Sequence, residues 1–241
     1  MKAKFFPYMM IDFPSREFFL DLLDVAQGHA DFIEIGIPFS DPLADGPIIQ
    51  SAAHDVLQNG FDPEQIFNVL QKRKKKVPIA LMTYANLVCN YGVEKFCKAS
   101  ADVDVQALIV PDVPHEESGQ WREVASSSGL SWISFVSLFT KPKRLQEICR
   151  TARGFIYLVS VAGVTGTKIS EVENVRAKAK QIKSFTDVPV ALGFGIRSVQ
   201  DAEPYGKEID AFIVGTQIIK VIRETNSIRE VEKLFTEFSG L

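Results

Sequence analysis

Apolar residues along this chain fall into two alternating patterns. Short blocks bounded by Gly, Pro, Asp or Ser have the character of buried strands. They lie at residues 5–11, 32–37, 79–83, 107–110, 132–136, 155–159, 190–192 and 211–214. Between them the apolar residues recur at helical spacing. After Ser15, a residue suited to an N-cap, come Phe18, Phe19, Leu22, Leu23 and Val25, and Gly28 stops the pattern. Further helices are predicted over 48–57, then from Asp62-Pro63 into the basic run 72–76, and from 86 to about 100. Others are predicted from about 116, over 142–151, 172–185 and 199–205, shortly after Thr216, and over 228–238.

Strands that alternate with helices build a parallel sheet. Eight such repeats in 241 residues favour one closed barrel over a doubly wound open sheet. No Gly-x-Gly-x-x-Gly follows the first strand, which argues against a dinucleotide-binding fold. The expected fold class is α/β, a single eight-fold β/α (TIM) barrel spanning residues 1–241 as one domain.

Composition narrows the function classes. A net charge of −3 gives no electrostatic footprint for nucleic acid. No apolar run approaches the ~20 residues of a membrane span, and the N-terminal segment lacks a signal-peptide pattern. Cys89, Cys97 and Cys149 are odd in number and scattered, as reduced cytoplasmic thiols would be. His29, His54 and His115 show no metal-ligand spacing, so no metal site is expected. The run Lys72-Arg73-Lys74-Lys75-Lys76 reads as a solvated helix end favoured by the macrodipole.

Candidate chemistry belongs at the C-terminal ends of the strands. Glu34 stands inside the second apolar block. Strand alternation sets Ile33 and Ile35 on one face and Glu34 with Phe32 and Gly36 on the other. The aliphatic pair suits the helix-packed face, so Glu34 is expected to point into the barrel with a raised pKa, able to donate a proton near neutral pH. Asp45, in the next loop, is placed equally well to cap the following helix or to accept from a ligand N–H. Glycines follow the last three strands, in Gly163-Val164-Thr165-Gly166, Gly193-Phe194-Gly195 and Gly215-Thr216. Backbone amides there suit a phosphate. Tyr157 is a candidate inward aromatic, and Phe194 a candidate apolar wall.

The stretch Phe32-Ile33-Glu34-Ile35-Gly36-Ile37-Pro38-Phe39-Ser40-Asp41-Pro42-Leu43-Ala44-Asp45-Gly46-Pro47-Ile48-Ile49-Gln50 resembles the signature of the tryptophan synthase alpha chain family. Tyr84-Ala85-Asn86, Pro111-Asp112-Val113-Pro114, Ala162 to Gly166 and Gly193-Phe194-Gly195-Ile196 resemble further family motifs in the same order. The resemblance implies a β/α barrel that cleaves indole-3-glycerol phosphate to indole and glyceraldehyde 3-phosphate by a retro-aldol reaction. It implies Glu34 as the acid–base at the indole ring carbon and Asp45 as the acceptor for the indole N–H. Tyr157, Ile49, Tyr84 and Phe194 would line the substrate site. Gly166, Gly195, Gly215 and Thr216 would hold the phosphate, and Asp41 and Thr165 would meet when a lid closes. No cofactor is implied on this chain; a beta chain carrying pyridoxal phosphate would be the partner in an alpha-beta-beta-alpha complex.

Four positions depart from the usual family pattern. Tyr8 and Met10 stand where Phe and Thr are usual, with Tyr8 expected to fall near the indole, Phe13-Pro14 replaces Asp-Pro, and Val161 takes the place of a lid Arg. They leave open a second reading, a weakly active subunit that activates a beta chain supplied with external indole. A related ring-closing synthase would need a strand-end Lys, and none is seen.

Overall fold

The computed structural model describes residues 3–73, 77–160, 169–193 and 195–241. Among the described residues, nine strand segments form one parallel sheet: β1 (Lys4–Met10), β2 (Ile33–Gly36), β3 (Ile79–Met82), β4 (Ala107–Ile109), β5 (Ser131–Trp132), β6 (Ser134–Ser137), β7 (Ile156–Val159), β8 (Val190–Gly193) and β9 (Ala211–Val214). Their order is β5-β4-β3-β2-β1-β9-β8-β7-β6. The two ends of that order are consecutive in the chain, separated by Ile133 alone. Ile133 is buried, and its N–H donates to the Leu108 carbonyl at 2.9 Å. β5 and β6 are therefore halves of one strand, and the nine segments close into the expected eight-fold barrel.

Helices cover the outside because parallel neighbours need crossover connections. Arg16–Ala26 starts where the Ser15 side chain accepts from the Phe18 N–H, and it buries Phe19, Leu22, Leu23 and Ala26. Pro142–Thr151 and Ile228–Phe238 fall where the periodicity sets them. Other elements differ from expectation. The helix predicted from 86 to 100 is two, Ala85–Tyr91 and Val93–Asp102, broken at Gly92, whose φ of 91° no helix accommodates. The helix after β9 is a full Thr216–Thr225, held by the buried Ile218, Ile219 and Ile222. The helix expected from 116 starts only at Gly119.

The basic run departs most. The helix ahead of it ends at Gln71, and Arg73 is buried. Its guanidinium donates to the carbonyls of Leu70 at 3.1 Å, Val103 at 2.5 Å and Asp104 at 2.6 Å. Arg73 thus ties this connection to the turn before β4; Lys74, Lys75 and Lys76 lie outside the described residues.

Inside the barrel, side chains stack in levels. Phe6, Phe32 and Phe155 form a lower triangle with ring centroids 5.2, 5.4 and 5.6 Å apart. Two residues further along β1, β2 and β7 come Tyr8, Glu34 and Tyr157, all buried. Tyr8 and Glu34 are register partners on adjacent strands. Glycines make room for the two tyrosines: a Cβ at Gly36 would overlap the Tyr8 hydroxyl, and one at Gly193 would overlap the Tyr157 ring.

The buried guanidinium gives a stability test. Arg73→Ala removes the guanidinium bonds to the Val103 and Asp104 carbonyls, while Leu70 keeps the backbone N–H of residue 73 at 3.2 Å, and hydrogen bonds to charged groups contribute about 1.5–3 kcal/mol. The urea unfolding midpoint should fall by that order, whereas Lys98→Ala, on an exposed pair with Asp102, should barely move it.

Candidate active site

Glu34 sits mid-strand on β2 with only 3% of its surface exposed. Its Oε2 is buried and has no hydrogen-bond partner among the described residues. Loss of hydration favours the neutral acid, and the nearby charge of Asp45 adds to this, so its pKa rises to about 8.

Asp45 does not cap the following helix. The N-cap of Pro47–Gln58 is Gly46, with no side-chain cap bond. Asp45 instead accepts a 2.7 Å hydrogen bond on Oδ2 from the Tyr84 hydroxyl, which itself accepts from the Ala44 N–H at 3.2 Å. The loop is braced from beneath as Gln50 Nε2 donates to the Asp45 carbonyl at 2.9 Å. Burial raises the Asp45 pKa to about 6, and the Tyr84 hydrogen bond limits the rise. Near neutral pH the two carboxyl groups therefore differ: Glu34 holds its proton and Asp45 is ionised.

Tyr84 is fully buried and stacks on Phe39, centroids 5.2 Å apart. It caps Ala85–Tyr91, whose first N–H donates to both carboxylate oxygens of Asp112 at 3.0 and 3.1 Å. Ile49 is buried on Pro47–Gln58. Tyr157 stacks on Phe135 at 5.0 Å, and burial together with the charges of Glu34 and Asp45 pushes its hydroxyl pKa well up. The same causes raise Tyr8. Glu34, Asp45, Tyr8, Tyr84 and Tyr157 thus form one electrostatic group at the C-terminal end of the barrel.

Across the mouth, Gly195 has φ 86° just beyond β8, a conformation favouring glycine. Gly215 ends β9 and caps Thr216–Thr225, with Thr216 exposed at its first turn. A helix start presents free N–H groups and the positive end of the dipole, suited to an anion. Asp41 is exposed and accepts from the Ser40 hydroxyl at 2.6 Å. Val161, Thr165, Gly166 and Phe194 lie outside the described residues. Among the described residues no His, Cys, Asp or Glu group of three or more could hold a metal, and no helix is long and apolar enough to cross a membrane. A cavity of about 750 Å³ opens at the opposite end of the barrel beneath Phe6, Phe32 and Phe155, away from all these groups.

The sequence model of the family described as "Tryptophan synthase alpha chain" matches residues 1–240. The chain belongs to the tryptophan synthase alpha chain family. The alpha chain of Campylobacter jejuni subsp. doylei is 37% identical over 234 residues, covering 95% of this chain and 93% of that one. The solved tryptophan synthase subunit alpha from Campylobacter jejuni superposes with a TM-score of 0.91 at 34% identity, covering 98% of this chain and 96% of the other. A solved structure of the tryptophan synthase a2b2 complex from Pyrococcus furiosus holds a chain with TM-score 0.91 and 29% identity, covering 100% and 99%. Tryptophan synthase alpha chains are lyases that cleave indole-3-glycerol phosphate, and this chain is an enzyme of that class.

One feature of this alpha chain has no signal in its sequence. The Asp45–Tyr84 bond spans 39 residues, beyond any local pattern. Tyr8, expected near the indole from its place on the first strand, lies in the group with Glu34 and Asp45, and Gly36, on the same face as Glu34, leaves room for its hydroxyl.

The raised Glu34 pKa sets a pH dependence of stability. The folded chain binds the Glu34 proton more tightly than the unfolded chain does. That contribution is fully present below the ordinary Glu range and is lost as pH rises from there through about 8. Glu34→Gln removes the loss. Its unfolding free energy should match the parent near pH 5 and exceed it by a few kcal/mol near pH 9, at about 1.4 kcal/mol per pKa unit. Parallel stability curves would contradict the burial argument.

Proposed function

We propose that Glu34 is the proton carrier and Asp45 the indole anchor of the lyase reaction. The observation that carries this is two carboxyl groups in unlike surroundings, near enough for the charge of one to act on the other: Glu34 orphaned on a barrel strand, Asp45 tied to Tyr84 in the loop above it. Indole does not release a carbon substituent while its ring is aromatic. Glu34 gives its proton to the ring carbon that bears the glycerol chain, and positive charge develops at the ring nitrogen. Ionised Asp45 accepts from that N–H and stabilises the charge. The carbon–carbon bond then breaks, its electron pair restores the aromatic ring, and the adjacent chain hydroxyl becomes the aldehyde. The hydroxyl proton passes to the Glu34 carboxylate, which returns to its starting state. No other proton donor or acceptor is needed for balance.

Tyr157, Ile49, Tyr84 and Phe194 are the proposed walls around the indole. Gly166, Gly195, Gly215 and Thr216 are the proposed phosphate amides and hydroxyl, with the helix start at Thr216 favouring the negative charge. Asp41 and Thr165 are the proposed lid pair. A tryptophan synthase beta chain is the partner in this reading, seated over the loops that follow β2, β3 and β4, in an alpha-beta-beta-alpha complex like the one solved for the Pyrococcus furiosus relative. Pyridoxal phosphate belongs to that partner, and the reading asks no cofactor of this chain. In this reading the chain works as one barrel domain in the cytoplasm, a compartment that suits the unpaired Cys89, Cys97 and Cys149.

Indole release from indole-3-glycerol phosphate, followed with the beta chain present, tests the assignment. Glu34→Gln should slow turnover by about 10²–10⁴-fold, the usual worth of a positioned acid–base group, and Asp45→Asn should also slow it. The parent profile should be bell-shaped, rising as Asp45 ionises near pH 6 and falling as Glu34 loses its proton near pH 8. Near-parental turnover in Glu34→Gln would overturn the assignment.

A further inference from the structure

Tyr8 is the one member of the buried group without a part in the reaction as derived. It lies on β1, between β2 with Glu34 and β9, which runs into Gly215. Its side chain bridges the two. A Cβ on Gly215 would come 3.1 Å from the Tyr8 Cβ and Cδ1, while the hydroxyl occupies the space left by Gly36. The side chain is 3% exposed, and its hydroxyl has no hydrogen-bond partner among the described residues. The neighbouring Glu34 Oε2 is orphaned in the same way. A buried hydroxyl with no partner costs free energy that a phenyl ring of the same shape would avoid. Two orphaned oxygens on register-matched residues of adjacent strands point to a polar group that arrives with a ligand.

The geometry also says which part of the ligand arrives there. With the indole at Glu34 and Asp45 and the phosphate at Gly215 and Thr216, the segment crossing Tyr8 is the three-carbon chain with its hydroxyls. We infer that the Tyr8 hydroxyl donates a hydrogen bond to a hydroxyl oxygen of the substrate's glycerol chain. The contact leaves the hydroxyl proton turned toward Glu34, the group that takes it up when the carbon–carbon bond breaks. Tyr8 is then a specificity-determining residue that selects a hydroxylated linker between ring and phosphate. A site that hydrogen-bonds a substrate hydroxyl discriminates strongly against an analogue lacking it, because its own polar groups are left unpaired. This inference rests on the placement of Glu34 and the phosphate loops in the proposed reaction.

Two probes measured by calorimetry separate the hydroxyl contact from ring packing. One is indole-3-glycerol phosphate; the other is 3-(indol-3-yl)propyl phosphate, which keeps the ring, the three carbons and the phosphate and has no chain hydroxyl. Both are titrated into Glu34→Gln chains, with and without Tyr8→Phe, so that neither is consumed. Tyr8→Phe should weaken indole-3-glycerol phosphate by about 3- to 10-fold, the worth of one hydrogen bond. It should leave the hydroxyl-free probe within about twofold, which also reports that the variant is folded and its pocket intact. Unchanged affinity for indole-3-glycerol phosphate overturns the inference, and so does parallel weakening of both probes. Turnover of indole-3-glycerol phosphate in the Glu34→Gln background would instead overturn Glu34 as proton carrier, and the two failures are thereby told apart.

Discussion

The closed parallel sheet limits everything inside it. Ile133 joins the two edges by continuing one strand across them, leaving no free edge and one interior of fixed volume. Each inward side chain is therefore placed at the expense of another. A triangle of phenylalanines fills the lower level, and the level above carries two tyrosines and a carboxyl group. That level fits because Gly36 and Gly193 contribute no side chain where the tyrosine rings lie. The same closure strips water from Glu34, and so its raised pKa comes mainly from the architecture.

The loop above the barrel supplies the opposite condition. Asp45 is held by Tyr84 and remains within reach of solvent, which keeps its pKa lower than that of Glu34. Two acids of nearly equal intrinsic strength are separated by where the fold puts them: one on the wall of a closed sheet, the other at its rim. The rim is assembled in series. Tyr84 binds the loop after β2 and caps the helix after β3, and Asp112 from the loop after β4 secures that helix start.

Legibility in the sequence follows the range of the signal. The Ser15 cap, the strand 211–214 and the helices 142–151 and 228–238 depend on neighbours within a few residues and were readable. Glu34 was readable because strand alternation separates it from Ile33 and Ile35. The break at Gly92 was hidden inside continuous helical periodicity. Arg73 looked like part of a solvated basic run because its carbonyl partners, Val103 and Asp104, lie about thirty residues away. Asp45 was open to a capping role that the structure does not bear out, and its bond to a tyrosine of another loop had no local signal. Tyr8 was visible as a departure from the family's usual phenylalanine, and only the packed barrel shows that its hydroxyl is left without a partner.

The glycines at 36 and 193 carry a meaning on the scale of evolution. Each forms half of a volume shared with a tyrosine on the adjoining strand. A lineage that enlarges the glycine first loses the fit of the ring, and one that shrinks the tyrosine first opens a void beside Glu34. Passage between the two forms runs through an unfit intermediate, so each pair drifts as one heritable character. Relatives should carry the pairs in matched combinations, with the glycine retained wherever the ring is large, even where the surrounding strand sequence has been rewritten.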